Sequence, residues 1–121
     1  MSPRLGAFVV SALLASLAHA AGDAANGQAL YEARCGGCHS VAENRVGPAH
    51  RGVFGRRAGA REGFGYSKAL TQSSVVWSEA SLDAWLADPE KLIPGQAMNV
   101  QVSDAQARAD IVAYLRSLTA Q

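Results

Sequence analysis

The stretch Cys35–Gly36–Gly37–Cys38–His39 decides how the chain is read. Its spacing, Cys-x-x-Cys-His, is the attachment pattern for a c-type haem. Two thiols three positions apart can each add to one vinyl group of the porphyrin and leave thioethers. The adjacent imidazole then lies over the iron as a proximal axial ligand. Gly36 and Gly37 carry no side chains, so the backbone can lie close to the porphyrin edge. Two other chemistries use Cys-x-x-Cys. A thioredoxin-like redox pair wants a βαβ pattern around it, and no segment here alternates as a strand would. Half a zinc site wants two more ligands at short spacing. The chain has no other cysteine, and beyond residue 20 its only histidines are His39 and His50.

Upstream of the motif, residues 1–20 read as a cleaved secretory signal peptide. Arg4 supplies the positive start, Leu5 to Leu17 form an apolar run, and Ala18–His19–Ala20 resembles a small-x-small cleavage site. The run is short for a membrane span, which makes an uncleaved anchor the weaker reading. Residues 21–121 remain, enough for one domain. Without Arg4 that domain has ten basic and ten acidic side chains. Haem propionates would make the whole more negative, and no basic excess points to nucleic acid. Export implies the periplasm, where an oxidising environment would pair Cys35 with Cys38. Attachment needs both thiols, so a dedicated maturation system is implied. A domain of this size buries only about 60–65% of its unfolded surface, and a buried porphyrin would add apolar area from within. The apo-protein is therefore expected to be poorly folded.

Along the domain, Asp23 is an N-cap candidate for a helix over Ala24 to about Arg34. In that helix Gly27 and Tyr31 share a face. A glycine inside a helix costs about 1 kcal/mol relative to alanine, which makes sense if another helix crosses closely there. Val41 to Gly65 has no sustained period and holds six glycines, Gly47, Gly52, Gly55, Gly59, Gly63 and Gly65. So long a loop fits a compact domain only if something orders it, and a haem that it wraps would do so. Tyr66 to Leu70 can form one short helical turn. Ser78 is the next N-cap candidate, opening a helix to about Asp88 with Leu82, Trp85 and Leu86 on one face. Pro89 is expected to stop it, and Lys91 to Gln101 reads as a loop containing Pro94–Gly95. Ser103 and Gln106 read as a capping box for a last helix in which Ala107, Ile111, Leu115 and Leu118 recur at helical spacing, bordered by Tyr114. The expected fold class is all-α, with three main helices and ordered loops around one haem.

An iron bound by His39 needs a second axial ligand or an open site. Beyond the leader, Met98 is the only methionine. It sits in a loop after Pro94–Gly95, where a thioether could reach a metal, favour the ferrous state and raise the potential. A lone methionine more often fills a packing gap. His50 is the rival ligand, but it lies only eleven residues after His39. That is short for reaching the opposite haem face, and packing beside the proximal face suits it better.

These pieces together resemble class I cytochrome c along nearly the whole domain. The branch containing mitochondrial cytochrome c and bacterial cytochrome c2-type proteins is the most similar. The haem motif, Val46–Gly47–Pro48, Gly52–Val53–Phe54–Gly55–Arg56–Arg57, Phe64–Gly65–Tyr66–Ser67, Trp77, Ile93–Pro94–Gly95, Met98 and Ile111–Val112–Ala113–Tyr114–Leu115 carry the likeness. The resemblance implies one haem c held through Cys35 and Cys38, with His39 proximal and Met98 distal. It implies that the Pro48 carbonyl accepts a hydrogen bond from the other His39 nitrogen. It also implies that Arg56, Tyr66 and the Trp77 indole bind a buried propionate, and that Gly27 and Tyr31 pack against Ile111 and Tyr114.

Three features depart from the family pattern. His50 stands where relatives often have leucine near the proximal haem face. Trp85 stands where mitochondrial relatives have a tyrosine that hydrogen-bonds the ligating sulfur. The ring of docking lysines is absent, leaving Lys68 and Lys91 beside scattered arginines such as Arg34, Arg45 and Arg51. Steering toward an acidic partner should then be weak, and a mixed or apolar patch at the haem edge would take its place. The expected function is that of a soluble, monomeric periplasmic one-electron carrier, not an enzyme. It would serve membrane or periplasmic oxidoreductases, as in a respiratory chain, without stable membrane insertion. A dedicated cytochrome subunit of a periplasmic dehydrogenase is the alternative. An open-site haem enzyme or sensor fits less well, since no acid–base constellation for peroxide chemistry is visible.

Overall fold

The computed structural model describes Met1 and residues 21–119; the expected signal peptide lies, from residue 2 to residue 20, outside the described residues. The all-α expectation holds. Among the described residues five helices follow one another: α1 (Ala24–Arg34), α2 (Lys68–Thr71), α3 (Glu79–Ala87), α4 (Pro89–Leu92) and α5 (Ala105–Ser117). No strand forms among the described residues, and the only sheet-like pairing is an isolated antiparallel bridge between Arg57 and Val76. No helix among them is long and apolar enough to cross a membrane.

Helix α1 starts where Asp23 accepts from the backbone N–H groups of Ala25 and Asn26. It crosses α5 so closely at Gly27 that a Cβ there would overlap the Asp110 carbonyl. The cost of a mid-helix glycine is thus offset by packing, with Tyr31 tilted against Tyr114 at a ring-centroid distance of 5.2 Å. Asp110, only 3% exposed, locks the crossing. It accepts from the Asp23 backbone N–H at 2.8 Å, from the Asn26 side chain at 2.6 Å and from the Gln106 side chain at 3.0 Å.

That arrangement corrects the expected start of α5. Its N-cap is Asp104, which accepts from the Ala107 N–H at 2.8 Å; Ser103 and Gln106 form no capping box. An ionised carboxylate is the stronger acceptor at a helix N-terminus, and Gln106 is drawn to Asp110 instead. Pro89 does more than stop α3. It occupies the first position of α4, where its fixed φ and missing N–H do no harm, and Asp88 caps that helix by accepting from the Lys91 N–H. The loop expected from Lys91 therefore begins at Ile93. The short turn expected at Tyr66–Leu70 lies slightly later, over Lys68–Thr71, because Ser67 is its cap.

The glycine-rich segment 41–65 has a partner besides any cofactor. Gly55 and Ala58 donate to the carbonyls of Trp77 and Val75, and Trp77 donates back to Arg56. At Gly59 the backbone has φ +72 and a Cβ would collide with the Leu70 carbonyl, a place only glycine fills without strain. Gly52 donates to the Leu118 carbonyl, tying the loop to the end of α5. On the other side, Arg108 of α5 meets Asp83 of α3 at 2.8 Å. Ile111, Leu115, Leu82, Leu86, Val53 and Trp77 form the buried centre shared by these elements.

Candidate functional site

The Cys-x-x-Cys-His motif continues the end of α1. Cys35 and Gly36 both donate to the Tyr31 carbonyl, and the N–H groups of Cys38 and His39 turn back to the carbonyl of Cys35. This last turn sets Cys35 and His39 one helical step apart on one side. Both cysteines and His39 line a single cavity of about 520 Å³, within the range of roughly 300–1,000 Å³ typical of cofactor sites. The two cysteines are not joined to each other. The glycines divide their work: a Cβ at Gly36 would press on the Glu32 carbonyl, while nothing lies near Gly37.

His39 is buried and held tightly. Its Nδ1–H donates to the Pro48 carbonyl at 2.8 Å, which leaves Nε2 as the nitrogen with a free lone pair. Burial draws its pKa below the ordinary histidine value, only partly offset by the Pro48 hydrogen bond, so the ring is neutral and able to ligate a metal. Met98, half-buried, lines the same cavity, as do Pro48, His50, Arg56, Tyr66, Trp77 and Trp85. His50 stacks on His39, centroids 4.1 Å apart. Burial, reinforced by His39 and Arg56, pulls its imidazole down to about 3. Arg56 is anchored by donating to the carbonyls of Ala49 and Arg51, each at 3.1 Å. The Tyr66 hydroxyl accepts from the Arg61 N–H at 3.2 Å, and Trp77 is tilted against Trp85 at 5.4 Å.

Three supporting residues escaped the sequence reading. Arg45 spreads over the motif's carbonyls, donating to Gly36 at 2.8 Å, His39 at 3.3 Å and Gly37 at 3.4 Å. Asn44 bridges the long loop, donating to the Glu62 carbonyl and accepting from the Ala49 N–H. Gln96, buried beside Met98's loop, donates to Glu90 at 3.0 Å and Asn99 at 2.6 Å and accepts from the Asn99 N–H at 2.9 Å. Each contact joins groups that no local period or cap rule relates.

The cavity fits the group that the motif calls for. It is walled by apolar side chains such as Leu86, Ile111 and Leu115, it carries two thiols at its rim, and a neutral imidazole and a thioether share it. The family model described as Cytochrome c matches residues 24–119. This chain belongs to the cytochrome c family. It is 40% identical to cytochrome c2 of Blastochloris viridis over 119 residues, covering 95% of this chain and 91% of that protein. It is also 40% identical to cytochrome c of Euglena viridis over 100 residues, 80% of this chain and 98% of that one. Among solved structures, cytochrome cH from Methylobacterium extorquens superposes with a TM-score of 0.76 at 42% identity, covering 79% of this chain and 99% of that chain. This cytochrome accordingly carries one haem c bound through Cys35 and Cys38 and is an electron carrier, with no substrate to turn over.

Proposed function

We propose that this cytochrome is a soluble periplasmic one-electron shuttle whose iron is held between His39 and Met98. The observation that carries the reading is the shared cavity. A neutral imidazole whose Nδ1 is committed to Pro48, and the only methionine among residues 21–121, line the same space as both attachment cysteines. The bound haem supplies a ferrous–ferric couple. The chain's own residues do the rest. His39, through its bond to Pro48, presents Nε2 in one tautomer. Met98 offers a soft thioether donor that favours the reduced state. Arg56, with Tyr66 and Trp77 beside it, offers charge and hydrogen bonds to a propionate buried on that side. The cavity wall of Leu86, Ile111 and Leu115 excludes water, which keeps reorganisation on transfer small. Exposed Cys38, Val46 and Val100 border the cavity and give a partner protein an apolar edge to meet. The leader reading rests on Arg4, the apolar run from Leu5 to Leu17 and the small-x-small stretch Ala18–His19–Ala20.

The test is the absorption spectrum of the ferric and ferrous protein, extended to the far red, for wild type and Met98→Ala. A weak far-red charge-transfer band reports an iron–thioether bond. Wild type should show it. Met98→Ala should lose it and fall in potential, while the haem stays covalently attached. An unchanged spectrum and potential in the variant would overturn the Met98 assignment.

A further inference from the structure

Three groups surround the His39 ring. The Pro48 carbonyl holds Nδ1. The backbone of Gly47 lies against the ring edge, where a Cβ would collide with Cε1. His50 covers one face, its ring 4.1 Å away and tilted by only 21°. His50 is itself pinned, with its Nδ1 2.8 Å from the Tyr31 hydroxyl. Tyr31 is 4% exposed and wedged in the crossing of α1 and α5 against Tyr114. A continuous line of stiff rings thus runs from the helix crossing to the axial imidazole.

We infer that Tyr31 and His50 are positioning residues that fix the plane of the His39 ring about its bond to iron. The inference rests on His39 being the proximal ligand. A hydrogen bond to a carbonyl tolerates a broad range of directions, so the Pro48 contact resists swivelling of the ring only softly. A flat neighbour on the ring's face resists it directly, because any turn drives the ring edges into that neighbour. An aliphatic side chain at position 50 could fill the same space, but nothing could tie it to Tyr31. The phenol–imidazole bond converts a packing contact into a fixed one, and both rings have few torsions to lose. The angle at which the axial imidazole meets the iron is therefore set by the packing of the terminal helices.

The test uses the haem-loaded protein and the variants Tyr31→Phe, His50→Leu and their combination. Proton NMR of the ferric state reads the spread and order of the haem methyl resonances, which follow the orientation of the axial ligand planes. The far-red absorption band, recorded on the same samples, reports whether ligation is intact. Both single variants should keep the band and change the methyl pattern, and the double variant should match His50→Leu, since Tyr31 acts through His50. Wild-type methyl patterns in both single variants would overturn the inference, as would a Tyr31→Phe effect that persists in full in the absence of His50. A wild-type spectrum without low-spin histidine-ligated iron would overturn the ligation reading and this inference together. A low-spin spectrum with unmoved methyl resonances would overturn this inference alone. Tyr31→Phe keeps the packed ring in place and alone carries the test if His50→Leu fails to fold.

Discussion

At the scale of single residues, the site depends on side chains that never touch the haem-binding motif in sequence. Gln96 is the clearest case. It is 7% exposed, and its amide joins Glu90 of α4 to Asn99, which follows Met98 in the loop. Glu90 and Asn99 are exposed, so water can take over their bonds when the amide is removed, and what is lost is the order that Gln96 imposes on the loop. Gln96→Ala should therefore loosen the loop without breaking haem attachment. On the proposed His39–Met98 ligation, the measurement is competition for the distal position: added imidazole should displace the far-red thioether band at lower concentration than in wild type. An unchanged displacement curve would mean the loop holds Met98 by other contacts. None of this was legible beforehand. Met98 could be singled out as a lone methionine after Pro94–Gly95, but the brace joins positions 90, 96 and 99 through a fold that no periodicity describes. Arg45 is similar: as a residue type it reads as a surface charge, and only the turn at Cys35–His39 brings three carbonyls within its reach.

At the scale of elements, the crossing of α1 and α5 decides both stability and its pH dependence. Gly27 leaves no room for a methyl group against the Asp110 carbonyl. Gly27→Ala gains about 1 kcal/mol in helix propensity but forces the helices apart, and overpacking of this kind costs roughly 1–3 kcal/mol. The net effect should be destabilising, seen as a lower denaturant midpoint, whereas a midpoint at or above wild type would show that the helices separate freely. Asp110 adds a titration. Hydrogen bonds from Asp23, Asn26 and Gln106 hold its carboxyl below the usual aspartate value. A depressed folded value means that its contribution is complete above about pH 3.9, the ordinary value, and is lost as the pH falls through its own lower one. Asp110→Asn should lower stability at neutral pH and flatten the acid limb of the stability profile relative to wild type; an acid limb identical to wild type would assign the effect to other carboxylates. The helices themselves were the most legible part of the chain. Asp23 and Ser78 cap α1 and α3 as expected, because a cap is decided within one turn, whereas the cap at Ser67 was not read and α2 was placed too early. Pro89 misled because proline ends one helix and begins another by the same fixed φ, and Asp104 displaced Ser103 because Gln106 pairs with Asp110 one turn on instead of reaching back to a cap.

For the molecule as a whole, charge and volume matter more than any contact. Residues 21–121 carry ten basic and ten acidic side chains, so long-range steering toward a charged partner is weak, and the rate of electron transfer with partner proteins should change little with ionic strength. A steep fall with added salt would instead point to a local charged patch. Volume decides how the chain folds. A cavity of about 520 Å³ lies among the residues that would otherwise be the core, bordered by Leu82, Leu86, Ile111 and Leu115. Left unfilled, that space keeps apolar walls from being packed, and unpacked core surface is destabilising. A typical domain is stable by only roughly 5–15 kcal/mol, so a defect of this extent in so small a core is decisive. The α1–α5 crossing gives only part of the compensation, because Tyr31 and Ile111 face the same space from the two helices. The chain freed of haem by cleavage of both thioethers should therefore lose most of its far-ultraviolet helical signal and melt without a cooperative transition. Readdition of haem should restore part of the helicity even without covalent bonds, since the missing quantity is buried volume and not the tether. Native helicity with a sharp thermal transition in the haem-free chain would show that the loops close over the space by themselves, and that the Arg57–Val76 pairing and the Asp110 lock suffice to hold the fold.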